Sequence, residues 1–149
     1  MDGRINDTQD RTEQLLATLR QSDYRMTPQR MALVRLIAES DDHPSVAQLY
    51  AQVRAQFPSM SLATVYKTLD LLKDLGEVFE IGLRDDSHYD GSRPVPHPHL
   101  ICIRCQKIVD GDLDTPVRRL VAEMEQTSGF QITRHQLNFY GLCPDCQKI

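Results

Sequence analysis

The apolar positions in the first half of the chain recur three or four residues apart, and this spacing predicts four amphipathic helices. Residues that favour helix starts mark three of them: Thr27 before Pro28, then Ser45, then Ser61. Gly76 is suited to end the fourth. The predicted helices span residues 12–22, 28–40, 46–57 and 61–76, and their predicted inward-facing residues include Leu33, Leu36, Ile37, Val46, Leu49, Tyr50, Val53, Leu62, Val65, Leu69 and Leu72.

Two short β-like runs follow the fourth helix: EVFEIGL at 77–83 and SHYD at 87–90, joined through Arg84, Asp85 and Asp86. Several helices followed by a β-hairpin is the order of elements in a winged helix, a helix-turn-helix with a β-ribbon wing. The third and fourth helices would then form the helix-turn-helix, and the fourth would be the recognition helix.

Residues 91–98, GSRPVPHP, are rich in proline and indicate a linker. Beyond it the pattern predicts strands at 99–105 and 107–113, a helix at 115–129 and a strand over 130–143. The predicted fold class is therefore α+β. An N-terminal winged-helix DNA-binding domain spans residues 1–90, and a small α+β domain spans 99–149. A unit of about 50 residues has a small hydrophobic core and often needs a disulfide or a structural metal to be stable.

All four cysteines fall into two Cys-x-x-Cys pairs, Cys102 with Cys105 and Cys143 with Cys146. The polar N-terminus lacks the order of a signal peptide, and no apolar run approaches the roughly 18 residues of a membrane span. We therefore expect a cytoplasmic protein with reduced thiols. In that setting two such pairs favour a structural zinc held by four thiolates, which would join the start of the second unit to its end. Two unrelated thiol pairs or a redox motif are the alternatives.

A second group of candidate ligands has nitrogen and oxygen donors. His97 and His99 are two apart, so both side chains face the same way in an extended segment. Asp90 ends the wing, Asp110 ends the second predicted strand of the small unit, and His43 stands before the third helix. Three imidazoles and two carboxylates suit Fe(II) or Mn(II), and would also accept Zn(II) or Ni(II).

Each of these residues also has an ordinary interpretation. His43 could simply begin a helix, and the two aspartates could be turn residues. For the two remaining histidines the ordinary interpretation is preferred: His88 is expected to be an exposed wing residue, and His135 a core histidine or one that supports a ligand.

The formal net charge of −4 and the isoelectric point near 5.7 argue against a protein that coats DNA through overall positive charge. A local basic patch is still present, because residues 20–35 contain four arginines and one aspartate. An ordinary solvated face is the alternative. The arginines are Arg20, Arg25, Arg30 and Arg35.

Five segments carry a resemblance to a known family: RMTPQR, HPSVAQLY, FPSMSLATVYKTL, HPHLICIRCQKIVD and YGLCPDC. From about residue 12 to the end, the chain resembles the ferric uptake regulator family of metal-dependent bacterial repressors. The resemblance implies an N-terminal winged helix, a C-terminal dimerisation domain and a sensing metal at the hinge between them. It matches His43, Asp90, His97, His99 and Asp110 to the regulatory site, and the four cysteines to the structural zinc.

For DNA contact, the resemblance matches Tyr66 to the recognition-helix tyrosine and places Arg25 near the minor groove. The neighbouring candidates on the helix are Ser61, Thr64 and Lys67. The expected molecule is a homodimer on a double-stranded operator, with one recognition helix in each of two major-groove half-sites.

Aspartate at positions 90 and 110 looks like the peroxide-responsive branch, since iron-uptake regulators usually have glutamate at both. That branch implies Fe(II) or Mn(II), with hydrogen peroxide reacting at bound Fe(II) and oxidising His43 or His97. An iron- or manganese-uptake regulator that responds to metal occupancy is the alternative. A metal-dependent oxygen-activating enzyme and a metal-storage protein are the rivals from other classes, and the chain is not expected to be an enzyme.

Overall fold

The computed structural model describes residues 3–83, 86–92, 95–112 and 114–148, with backbone alone for 3–7 and 114–116. The chain divides into two compact units, Met1–Pro94 and Val95–Ile149. The division falls within the predicted linker 91–98. Arg84 and Asp85 of the predicted hairpin connection lie outside the described residues.

The first unit contains helices followed by a two-stranded antiparallel hairpin, the order of elements in a winged helix. In the hairpin Phe79 lies opposite Asp90, and Gly82 lies opposite Ser87. The elements are α1 Gly3–Gln21, α2 Pro28–Glu39, α3 Val46–Gln56, α4 Leu62–Asp74, β1 Phe79–Gly82 and β2 Ser87–Asp90.

The predicted helix starts are confirmed by their hydrogen bonds. Thr27, Ser45 and Ser61 each accept a bond from the backbone N–H three residues later, at 3.3, 3.2 and 3.1 Å. Gln48 completes a capping box by accepting from the backbone N–H of Ser45 at 2.9 Å. At the far end of α4, Gly76 takes a φ of +74°, which costs glycine little.

The core of the first unit is built from the apolar faces of α1 to α4, closed by Tyr89 of the wing. Most of the predicted inward-facing residues are buried. Leu62 is an exception at 43% exposed, because it begins α4 one turn before Val65, the first buried position of that helix. Leu36 and Tyr50 are half-buried.

Helix α1 begins at Gly3, well before the predicted residue 12. The prediction stopped where the apolar stripe gives way to polar residues. Arg11 and Thr12 are nevertheless buried, and Thr12 Oγ1 donates to the carbonyl of Thr8 at 3.0 Å as in a continuing helix.

The second unit is a three-stranded sheet with two helices. The strand order is β4-β3-β5, with β3 antiparallel to β4 and parallel to β5. This register places His99 opposite both Asp110 and Asn138. The elements are β3 His99–Cys102, β4 Ile108–Asp110, α5 Asp114–Ser128, β5 Asn138–Gly141 and α6 Pro144–Gln147.

The predicted strand over 130–143 was too long, since β5 covers only Asn138–Gly141. The backbone N–H groups of Phe130 and Ile132 donate to side chains instead of a strand, at 3.2 Å to Ser128 Oγ and 2.8 Å to Glu125 Oε1. Helix α6 was not predicted, because four residues are too few to show a period. Within the described part of the chain, we find no helix with the length and apolar character needed to cross a membrane.

Candidate metal sites and DNA-facing surface

The four cysteines of the second unit converge. Their sulfur atoms all lie within 4.8 Å of one another, and Cys105 Sγ is 3.7 Å from Cys143 Sγ. A tetrahedral zinc with Zn–S bonds of about 2.3 Å requires sulfur–sulfur distances of about 3.8 Å. The four thiol groups therefore fit a closed structural zinc site.

Local structure explains why these sulfurs meet. The parallel pairing of β3 with β5 sets Cys102 opposite Gly141, just before the second cysteine pair. Gln106 has a φ of +63°, and its N–H donates to the carbonyl of Cys102 at 2.9 Å, which tightens the turn that carries Cys105. The N–H of Cys143 donates to Cys102 Sγ at 3.4 Å, so backbone dipoles already point at a sulfur.

The thiols differ in acidity. Hydrogen bonds from the backbone N–H groups of Cys105 and Cys143 lower the pKa of Cys102 to about 6. Burial raises the pKa of Cys146 to about 12. A divalent cation that displaces the remaining protons would let all four sulfurs act as thiolates.

The first unit holds one half of the predicted nitrogen–oxygen set. His43 Nε2 lies 3.4 Å from Asp90 Oδ2, and both side chains are buried. Strand β2 places them, because the N–H of Tyr89 donates to the carbonyl of Pro44 at 2.9 Å. Ser92 Oγ donates to Asp90 Oδ1 at 3.3 Å, which orients the carboxylate.

His88 supports His43 rather than lying exposed as predicted. It is half-buried, and its Nδ1 lies 2.6 Å from the carbonyl oxygen of His43. His43 has a φ of +51°, a conformation that costs free energy in a residue other than glycine. The contact with His88 helps to hold that conformation. His135 is half-buried in the segment that precedes β5.

The second unit holds the other half. His97 Nε2 and His99 Nε2 lie 3.2 and 3.6 Å from Asp110 Oδ1, and the two ring centroids are 4.6 Å apart. His97 Nδ1 lies 2.9 Å from the carbonyl oxygen of Val95, which turns its Nε2 towards Asp110. Each unit thus pairs imidazole nitrogens with a carboxylate, a donor set suited to divalent iron or manganese.

Three of the predicted DNA-binding residues of the first unit line one groove. A groove of about 300 Å³ brings Arg25 together with Ser61 and Thr64, although they are far apart in sequence. On the same helix, Tyr66 is 46% exposed and Lys67 is exposed. The groove is lined by Arg25, Thr27, Gln29, Arg30, Ser59, Met60, Ser61 and Thr64.

Tyr24 and Thr68, which the sequence did not single out, support this surface. The guanidinium of Arg30 lies 4.4 Å from the ring centroid of Tyr24 and donates to the carbonyl of Arg25. Tyr24 Oη lies 2.6 Å from Thr68 Oγ1 on the buried face of α4. Tyr24 adjoins the arginine-rich patch in sequence, but nothing in the pattern pointed to Thr68 as its partner.

Known proteins resemble the chain over nearly its whole length. The peroxide-responsive repressor PerR of Staphylococcus aureus is 35% identical over 149 residues, which is 99% of each chain. The structure of the Campylobacter jejuni peroxide stress regulator matches with a TM-score of 0.70 and 29% identity, covering 88% of this chain and 98% of that one.

The Helicobacter pylori ferric uptake regulator Fur matches with a TM-score of 0.74 over 94% of this chain and 93% of its own. At 20% identity that likeness supports the fold alone. Together with the helices and strands described above, it confirms the predicted α+β class. A sequence model of the ferric uptake regulator family matches residues 21–140. The chain therefore belongs to the ferric uptake regulator family.

Proposed function

We propose that this chain is a metal-dependent, DNA-binding transcriptional repressor that senses hydrogen peroxide through Fe(II) or Mn(II). The observation that carries the proposal is the pair of half-sites. His43 and Asp90 are held together in the first unit, and His97 and His99 meet Asp110 in the second.

One cation that takes ligands from both half-sites would favour the conformations in which the two units converge. Such a cation shifts the equilibrium by as much as its affinity differs between conformations. The two carboxylates neutralise a divalent charge, and the five ligands are His43, Asp90, His97, His99 and Asp110. Cys102, Cys105, Cys143 and Cys146 hold a separate zinc that stabilises the second unit.

The peroxide response is supported by the 35% identity to PerR and by aspartate, rather than glutamate, at positions 90 and 110. Bound Fe(II) would lend one electron to cleave the O–O bond of peroxide and would regain one electron as the imidazole is oxidised. In net terms one peroxide oxygen atom is added to a ligand histidine and the other leaves as water. His43 and His97 are the proposed targets. A modified imidazole is a poorer ligand, so metal and operator affinity fall together.

DNA contact is assigned to the surface that carries Arg25, Ser61, Thr64, Tyr66 and Lys67. Arg25 and Lys67 supply charge for phosphates, while the hydroxyls and the Tyr66 ring reach base edges or thymine methyl groups. The protein is proposed to act in the cytoplasm, and the family is one of regulators rather than enzymes.

The homodimer is proposed to form through the second unit. One face of its sheet exposes large apolar side chains, including Leu100, Val109 and Phe139. They line a cavity of about 410 Å³ beside the zinc ligands. An exposed apolar face of this kind indicates a protein interface. A twofold dimer would present two recognition helices to successive half-sites.

The test compares operator binding by protein loaded with Fe(II) or Mn(II), before and after one equivalent of hydrogen peroxide, without oxygen. The DNA is a duplex selected by this protein from a random-sequence library in Mn(II). We expect the iron form alone to release DNA after peroxide. Retention by both forms would instead indicate a metal-uptake regulator, and binding that never depends on metal would refute both.

A further inference from the structure

Arg11 places a positive charge inside the first unit. It lies on α1 and is 4% exposed, so its donors need partners within the protein. Arg11 Nε donates to the carbonyl of Gly91 at 2.8 Å. Its Nη2 donates to the carbonyl of Glu77 at 2.6 Å, and Nη1 pairs with Glu77 Oε2 at 2.8 Å. The guanidinium therefore holds two separate segments at once.

Both segments adjoin residues with proposed roles. Gly91 directly follows Asp90, a ligand of the regulatory site. Glu77 directly follows Gly76, whose φ of +74° ends the recognition helix α4. Arg11 thus joins the peptide next to a ligand to the C-terminal end of the helix that meets DNA.

The backbone at Gly91 is also confined on its other side. A Cβ atom there would overlap Ile37 Cγ2 and would lie 3.2 Å from Val78 Cγ2. With its carbonyl held by Arg11, Gly91 has little room to move alone. We therefore expect that a displacement of Asp90 also moves the side chains that contact Gly91, namely Arg11, Ile37 and Val78.

We propose that Arg11 is a positioning residue that couples metal binding at Asp90 to the recognition helix α4. The inference rests on the proposed function, because it assigns a route by which that metal acts on DNA binding. The planar guanidinium is a rigid fork, so its contacts to Gly91 and Glu77 move together. Coupling between two binding sites is reciprocal: metal must strengthen DNA binding by the factor by which DNA strengthens metal binding.

The test uses Arg11→Met in the full chain with its zinc, which removes every donor and keeps a side chain of similar length. Affinity for the selected duplex is measured with and without Mn(II), and affinity for Mn(II) with and without the duplex. We expect the enhancement by Mn(II) to fall by about tenfold, and the enhancement by DNA to fall by the same factor.

Two variants make the result specific. Arg119→Met removes one exposed positive charge from α5 and controls for a general loss of attraction to DNA. Arg11→Lys keeps the charge without the planar fork, so an intermediate enhancement is expected. If Arg11→Met does not fold, Arg11→Lys and the double variant Arg11→Met/Glu77→Gln carry the test with the same readouts.

A residue with a structural role only would lower the melting temperature and leave both enhancements at the wild-type value, which would overturn the inference. A wild-type protein whose DNA binding ignores Mn(II) would refute the proposed function itself, and the inference with it. The wild-type measurement therefore separates the two failures.

Discussion

Tyr24 Oη lies 2.6 Å from Thr68 Oγ1, and this contact fastens the loop before α2 to the buried face of α4, the proposed recognition helix. Thr68 Oγ1 also donates a hydrogen bond to the carbonyl of Thr64 at 2.8 Å. Its own proton is therefore used there, and Thr68 Oγ1 accepts the hydrogen bond from Tyr24 Oη. The ring of Tyr24 lies under Arg30 as well. One aromatic residue therefore fixes both the arginine-bearing loop and the helix beside it.

Tyr24→Phe is expected to lower the free energy of unfolding by about 1 kcal/mol, the usual contribution of such a hydrogen bond. Operator affinity should fall modestly, because the ring and its arginine contact remain. Denaturant unfolding and duplex titration measure the two effects. Tyr50→Phe is the matched control, since the Tyr50 ring also lies beside an arginine, Arg54, at 5.5 Å. Equal effects in both variants would contradict the assignment.

Tyr66→Ala is expected to weaken operator binding about tenfold, or about 1.4 kcal/mol, by removing a contact to bases. Zinc content and melting temperature should not change, because the side chain is 46% exposed. Phe130→Ala, which removes a 74% exposed aromatic from the second unit, is the control. Wild-type affinity in Tyr66→Ala would remove this residue from the DNA interface.

Cys105→Ser is expected to release zinc and to destabilise the second unit by several kcal/mol, a part of the roughly 10 kcal/mol that structural zinc contributes to folding. The reason is that hydroxyl oxygen replaces one corner of a four-sulfur site. Metal analysis and thermal unfolding test this. A strong chelator should reproduce the variant's unfolding curve in the wild-type protein. Full zinc retention with unchanged unfolding would rule out the four-thiolate site.

Peroxide is expected to add one oxygen atom to a peptide that contains His43 or His97 in the iron-loaded protein. The manganese-loaded protein should stay unmodified, because Mn(II) does not give peroxide the electron that starts O–O cleavage as Fe(II) does. Mass spectrometry of proteolytic fragments detects the change, and the peptide with His135 serves as the internal control. Oxidation confined to the cysteines, with loss of zinc, would indicate a thiol sensor instead.

Lys73 Nζ lies 2.8 Å from Glu80 Oε2 and ties the last turn of α4 to the wing. The hydrogen bond lowers the pKa of Glu80 below 4.5 and raises the pKa of Lys73 above 10.5. Because the pKa of Glu80 is lowered by folding, its carboxylate contributes stability above pH 4.5. That stability is lost as the pH falls through the pKa of Glu80 in the folded protein. Because the pKa of Lys73 is raised by folding, its ammonium group contributes stability below pH 10.5. That stability is lost as the pH rises through the pKa of Lys73 in the folded protein.

Glu80→Gln is therefore expected to cost about 0.5 kcal/mol at pH 7, since both groups are partly exposed and screened by solvent. The difference from wild type should shrink as pH falls below 4.5. Unfolding curves over a pH series measure it. A difference that persists at pH 2 would mean that the carboxylate charge is not responsible.

Sequence patterns predicted those parts of the molecule that depend on local chemistry. The caps at Thr27, Ser45 and Ser61 were recoverable because a cap is satisfied within three residues. His97 and His99 were suspected because a spacing of two directs both to one face of a strand. Their meeting with Asp110 depends on the β3–β4 register, which the sequence left open.

Other features were missed because their partners are distant along the chain. Arg11 is separated from Gly91 by 80 positions. The periodicity of the sequence does not predict that a charged residue at position 11 is buried. Residues 130–137 have a strand-like composition, but side chains of α5 accept hydrogen bonds from the backbone N–H groups of Phe130 and Ile132. Leu62 fits the helical period, although the core does not extend to the first turn of α4.

The parallel pairing of β3 with β5 also bears on how the protein is made. Cys102 and Cys143 are 41 positions apart, and this loop must close before the sheet hydrogen bonds that offset its entropy can form. We therefore expect the second unit to fold more slowly than the helical first unit. The zinc supply during synthesis would then set how long unpaired strand edges stay open to association with other unfinished chains.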